Sequence, residues 1–111
     1  MSATSIPPAA AFAPASAPAV GAAPALEELR ARIEAIDAAL IQLLAERVHL
    51  ARAAGDAKRS AGLPTLDPAR EAAVVRRAAA AGRDAGLVGD EARELFWRVV
   101  GMCRRAQEEA P

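Results

Sequence analysis

LEELRARIEAIDAALIQLLAERVHLARAAGDAKRSAG, residues 26–62, decides how the rest of this chain is read. Written as a heptad, its a and d positions are Leu26, Leu29, Ile33, Ile36, Leu40, Leu43, Arg47, Leu50 and Ala54. That spacing is a helical stripe, and no proline interrupts it. Glu27 and Glu28 suit the positive end of the helix dipole, Lys58 and Arg59 the negative end. Gly62 is placed to cap the helix and Pro64 to prevent its continuation. Gly55 costs the helix roughly 1 kcal/mol relative to alanine, so it marks a close approach or a slight bend. About 36 residues at ~1.5 Å each make a rod of ~54 Å, whereas a globule of this size has a radius of gyration of only ~13 Å. The rod overhangs its own domain, and its apolar stripe needs a second chain to cover it. A dimer is therefore expected before any function is considered.

Outward from this helix, the rest of the chain is short and all-α in pattern. The loop LPTL leads into Asp67-Pro68-Ala69-Arg70-Glu71, where Asp67 is an N-cap and Pro68 takes the first helical position. A second helix is expected to run to about Ala81, burying Val74, Val75 and Ala78 and ending at Gly82. After a turn containing Gly86 and Gly89, a third helix starts near Asp90, with Arg104 and Arg105 near its end. Its apolar side takes Ala92, Leu95, Phe96, Val99, Val100, Cys103 and Ala106, and Gln107 shares that face. Trp97 is read as a packing residue and His49 as facing solvent. The fold class is all-α, with one long and two shorter helices, no internal repeat and no strand signal.

Composition narrows the functions open to such a chain. With 111 residues it supports one domain. The formal net charge is zero, which gives a nucleic-acid partner no electrostatic support. One cysteine, Cys103, cannot close an internal disulfide, and together with His49 it cannot furnish a metal ligand set. Residues 1–25 carry no charge and five of the eight prolines. Those prolines break any signal-like apolar run, and the segment reads as a disordered Ala/Pro tail or linker ahead of a helical domain at 26–111. No run of ~20 apolar residues offers a membrane span. A cytoplasmic protein is expected.

Several polar residues do not fit their positions. Arg47 sits in the seam, where it either snorkels its head to water or holds an anion. Lys58 follows eleven residues later, within ~20° of the same face and ~16 Å further along. The two could clamp a small dianion, although a lysine near a helix C-terminus is also an ordinary dipole partner. Arg70 and Glu71 fit a surface pair. Gln107 on an apolar face needs a hydrogen-bond partner, and Asp37 flanks the seam as a structural polar residue.

Taken in order, LRARIEAID with Arg30 and Asp37, LLAER with Arg47, GDAK with Lys58, LPTLDPARE with Asp67, Arg70 and Glu71, and LFWRVVGMCRRAQ with Gln107 resemble the all-α, type II chorismate mutases. The resemblance covers Leu26 to about Glu108. It implies an intertwined homodimer with the long helices paired, and conversion of chorismate to prephenate by a Claisen rearrangement without metal or cofactor. By position, Arg30 of the partner subunit and Arg47 would bind the two carboxylates, with Arg70 assisting. Lys58 and Gln107 would donate to the ether oxygen, and Glu71 with Asp67 would hold the ring hydroxyl. Arg30 precedes Lys58 by 28 residues, ~42 Å of helix, so the two meet one small ligand only if each site is shared between subunits. Glutamine at 107 needs no proton to donate, whereas some relatives carry glutamate there. Cys103 stands where many relatives have a small hydroxyl or alanine, so a polar contact to substrate is expected to be missing. The same scaffold also serves 4-amino-4-deoxychorismate mutases and isochorismate–pyruvate lyases, the latter with a different loop before the second helix. A non-catalytic helical dimer docking on another shikimate-pathway enzyme is the alternative of another class. Retention of Arg30, Arg47, Lys58, Arg70 and Gln107 argues against it.

Overall fold

A computed structural model describes Ala23 and residues 25–109. The segment read as a tail, residues 1–25, lies outside the described residues except for Ala23 and Ala25. Three helices follow in order: α1 (Leu26–Ser60), α2 (Pro68–Asp84) and α3 (Gly89–Glu109). No strand occurs among the described residues, as the all-α pattern predicts. Among them, too, no helix is long and apolar enough to cross a membrane.

The helix ends follow from local chemistry. At the close of α1 the Leu63 N–H donates to the Lys58 carbonyl at 2.8 Å and the Gly62 N–H to the Arg59 carbonyl at 3.1 Å. This pair of bonds turns the chain through a left-handed residue, and Gly62 supplies it at φ 72°. The Asp67 side chain caps α2 by accepting from the Arg70 N–H at 3.1 Å, with Pro68 in the first turn. Both features were legible in the sequence.

The end of α2 corrects the expectation. The helix does not stop at Gly82 but continues to Asp84. The left-handed turn belongs to Gly86, at φ 90°, where the Leu87 N–H reaches back to the Gly82 carbonyl at 2.8 Å. Gly82 instead permits a close approach: a Cβ there would lie 2.7 Å from the Ala92 Cβ on α3. A methyl on a helix backbone cannot move aside, so the two helices would have to part. Gly82→Ala is expected to lower the melting temperature, at ~4–8 °C per kcal/mol for a domain of this size. Alanine is the better helix former by ~1 kcal/mol, so an unchanged or raised melting temperature would disprove the contact.

The chain divides into two compact units, residues 1–46 and 47–111. The second holds the core, made of Val75 and Ala79 on α2 and Ala92, Val99, Val100, Cys103 and Ala106 on α3. Small side chains dominate it, and they let α2 and α3 pack closely. Two sequence expectations fail on α3. Leu95 is 58% exposed, because it lies about 70° from the centre of the buried stripe, on its margin. Trp97 is 43% exposed, about 130° round from the same centre, and faces away from the core. His49 is exposed, as expected.

The described part of the first unit is helical from Leu26 onward, and its apolar stripe is uncovered. Leu26, Ile33 and Leu40 are 59%, 57% and 53% exposed. Leu29 and Ile36 on the same stripe are exposed as well. A periodic row of large aliphatic side chains left in water is costly, at roughly 25 cal/mol per Å² of apolar surface.

Candidate active site

Three pieces of the second unit meet around a pocket of about 470 Å³, within the range of small-molecule sites. The last turns of α1 bring Arg47 and Lys58. The loop after α1 and the first turn of α2 bring Thr65, Asp67, Arg70 and Glu71. The second half of α3 brings Cys103, Arg104 and Gln107. Leu50, Ala54, Val74 and Val100 supply apolar wall between them. The basic side chains number four and the acidic ones two, so the pocket carries a formal charge of +2. A cleft of one sign with apolar walls focuses its field on an ion of the other sign.

Several of the polar groups are held by neighbours within the pocket wall. The Arg47 guanidinium, half-buried, donates to the Cys103 thiol at 2.9 Å. Cys103 is buried, as a small core residue on α3, and it takes up a single donor of a group that has five. Lys58 is also half-buried, and its Nζ donates to the Thr65 carbonyl at 3.0 Å. An ammonium has three donors, so this contact fixes the direction of the side chain while leaving others for a ligand. Asp67 is occupied by its capping bond to the Arg70 N–H.

Gln107 is approached by the α1 backbone on one side, and its own backbone is held by an α1 side chain. The buried Gly55 of α1 packs against it so tightly that a Cβ there would lie 3.2 Å from the Gln107 Cβ and Cγ. The Arg59 guanidinium donates to the Gln107 backbone carbonyl at 3.1 Å. Gly55 is thus the site of a close approach, one of the two roles the sequence allowed it.

Seven of the eight residues singled out from sequence line this one pocket: Arg47, Lys58, Asp67, Arg70, Glu71, Cys103 and Gln107. The eighth, Arg30, is an exposed residue of the first unit, paired with Glu27 at 3.3 Å. Arg104 is the residue that sequence reasoning missed. It was placed with Arg105 only as a residue near the end of the third helix, but α3 continues to Glu109 and its last turn holds no basic residue. Arg104 instead grips Glu71 with two nitrogens, Nε to Oε2 at 3.0 Å and NH2 to Oε1 at 3.0 Å. Hydrogen bonding to the Glu71 carboxylate, and then its charge, hold the Arg104 pKa above the ordinary guanidinium value. The available signal was position: Arg104 adjoins Cys103 and lies one turn before Gln107.

Comparison with known proteins adds the context. Residues 29–108 match the family model described as chorismate mutase type II. The chain is 38% identical over 90 residues to the 3-dehydroquinate dehydratase of Pyrobaculum aerophilum, covering 81% of this chain and 25% of that one. It is 35% identical over 74 residues to the T-protein of Haemophilus influenzae, covering 67% and 20% respectively. With the 4-amino-4-deoxychorismate mutase of Streptomyces pristinaespiralis it shares 34% over 99 residues, covering 86% of this chain and 77% of that one. The chain thus spans about a quarter of the first relative and a fifth of the second. No solved structure matches it.

Proposed function

This chain belongs to the type II chorismate mutase family, and from that premise we propose that it rearranges chorismate to prephenate in aromatic amino acid biosynthesis. The observation that carries the reading is the pocket itself, where Arg47, Lys58 and Gln107 converge between apolar walls in a site of charge +2. The reaction is a single pericyclic step, in which the ether C–O bond breaks as a new C–C bond forms. It consumes no co-reactant and moves no proton. Two tasks fall to the protein. It must hold a flexible dianion in its compact reactive conformer, a proximity effect, and it must stabilise the charge that gathers on the ether oxygen as the bond opens.

In this reading Arg47 binds a carboxylate, with Arg70 nearby, and the remaining Lys58 donors and the Gln107 amide meet the ether oxygen. Glu71, with Asp67 beside it, accepts from the ring hydroxyl. Cys103 faces the substrate end of Arg47 and orients that guanidinium through its thiol. The second carboxylate is assigned to Arg30 of a partner chain, and the protein to a homodimer. The exposed stripe of Leu26, Leu29, Ile33, Ile36 and Leu40 supports that assembly. A cytoplasmic location belongs to the same proposal, supported by a sequence that asks for no disulfide.

A second reading has its own support. The Streptomyces pristinaespiralis relative, aligned over 77% of its length, is named for the 4-amino-4-deoxy substrate. One experiment separates the cases. Purified protein is given chorismate or 4-amino-4-deoxychorismate, and loss of substrate is followed with identification of the product. Prephenate from chorismate is the expected result. Salicylate and pyruvate formed from isochorismate, offered in parallel, would indicate the lyase reaction, and no turnover of chorismate at micromolar enzyme would overturn the proposal.

A further inference from the structure

Among the described residues, Glu71 and Arg104 form an ion pair that joins α2 to α3, and it stands in the wall of the pocket. Their side chains are only 18% and 34% exposed, so water screens the pair incompletely. We infer that Arg104 makes this end of the pocket selective for a ring bearing a neutral hydroxyl over one bearing a protonated amine. The inference rests on the mutase reading above and on Glu71 facing the ring substituent.

Charge is distributed unevenly over the pocket. Arg47, Lys58 and Arg70 attract the carboxylates that the hydroxy and amino substrates have in common, so they do not tell the two apart. Discrimination falls to the two acidic groups. Asp67 keeps its charge while capping α2, but no guanidinium bonds to it among the described residues, so Glu71 is the acid whose pull Arg104 controls. A lone carboxylate would draw an alkylammonium strongly. Bound to a guanidinium through both of its oxygens, at 3.0 Å each, the carboxylate contributes little net field, and the guanidinium itself repels a second cation. A hydroxyl asks for less. It needs one free acceptor position, and a carboxylate offers about four. Arg104 thus leaves Glu71 able to accept from an O–H while removing its pull on an ammonium. A planar, permanently charged group suits this task, because it cannot lose its proton to accommodate the amine.

The test uses the full chain and both substrates, at one pH and ionic strength. The wild-type protein is expected to have the higher kcat/KM with chorismate. Arg104→Gln, which keeps a polar side chain of similar reach, is expected to shift the ratio toward the amino substrate on the order of tenfold. Arg104→Lys keeps the charge and is expected to shift it much less. A loss shared equally by both substrates in the glutamine variant would make Arg104 merely structural and overturn the inference. So would a lysine variant as unselective as the glutamine one. A wild-type preference for the amino substrate overturns it without any variant. If the wild-type protein turns over neither substrate, the mutase reading falls and this inference with it. Turnover of chorismate with an unmoved ratio sinks the inference alone.

Discussion

Arg47→Ala is expected to lower kcat/KM for chorismate by about two to three orders of magnitude, the usual effect of removing one preorganised donor to developing or fixed negative charge. Arg47 enters the pocket from the seam of α1, half-buried, with its recorded bond going to the Cys103 thiol. A thiol is a weak acceptor, so the guanidinium retains most of its capacity for a carboxylate. Removing it deletes one of four cations from the site and leaves a substrate carboxylate partly desolvated without a partner. The loss should exceed any effect on folding, since the core residues Val75, Val99 and Val100 are untouched. Steady-state kinetics with a parallel thermal melt separate the two effects. Activity within threefold of wild type would show that the dianion is held elsewhere.

The second large effect is a recovery. Arg30→Ala and Arg47→Ala proteins, each nearly inactive alone, are expected to regain activity when mixed and allowed to exchange subunits. If each site takes Arg47 from one chain and Arg30 from the other, a mixed dimer has one intact site and one that lacks both arginines. Random exchange then restores about one quarter of the wild-type sites. The 28-residue spacing of Arg30 and Lys58 keeps both from one small ligand within a chain. The exposed aliphatic stripe that Arg30 flanks supports a second chain beside it. Proven exchange without recovered activity would remove Arg30 from the site.

Much of this molecule was legible from its sequence because the deciding signals are local. The heptad stripe, the Gly62 turn and the Asp67-Pro68 cap each depend on residues a few positions apart, and each appears as expected. Gly82 was misread for the same reason. A glycine near the end of a helical pattern looks like a cap, and only the approach of Ala92 from another helix shows that it is a point of contact. Leu95 was placed on the apolar side of the third helix and Trp97 read as a packing residue, although their angles put them at the margin of the core and beyond it. Arg104 was hidden both by ambiguity and by distance. A basic residue late in a helix has a sufficient local explanation, and its actual partner, Glu71, lies 33 positions away. The pocket residues were recovered as a set because a resemblance supplied long-range pairing that periodicity alone does not contain.

Lys58 has a further consequence. Its backbone carbonyl accepts from Ala61 and Leu63 to turn the chain out of α1, while its ammonium holds the carbonyl of Thr65. A single residue therefore ties down both the start and the middle of the segment that delivers Asp67, Arg70 and Glu71. A ligand that draws the ammonium inward pulls on this segment through the same nitrogen. Occupancy of the pocket and order in the α1–α2 connection are then two readings of one mechanical linkage, and whatever stiffens the connection also aims the charge.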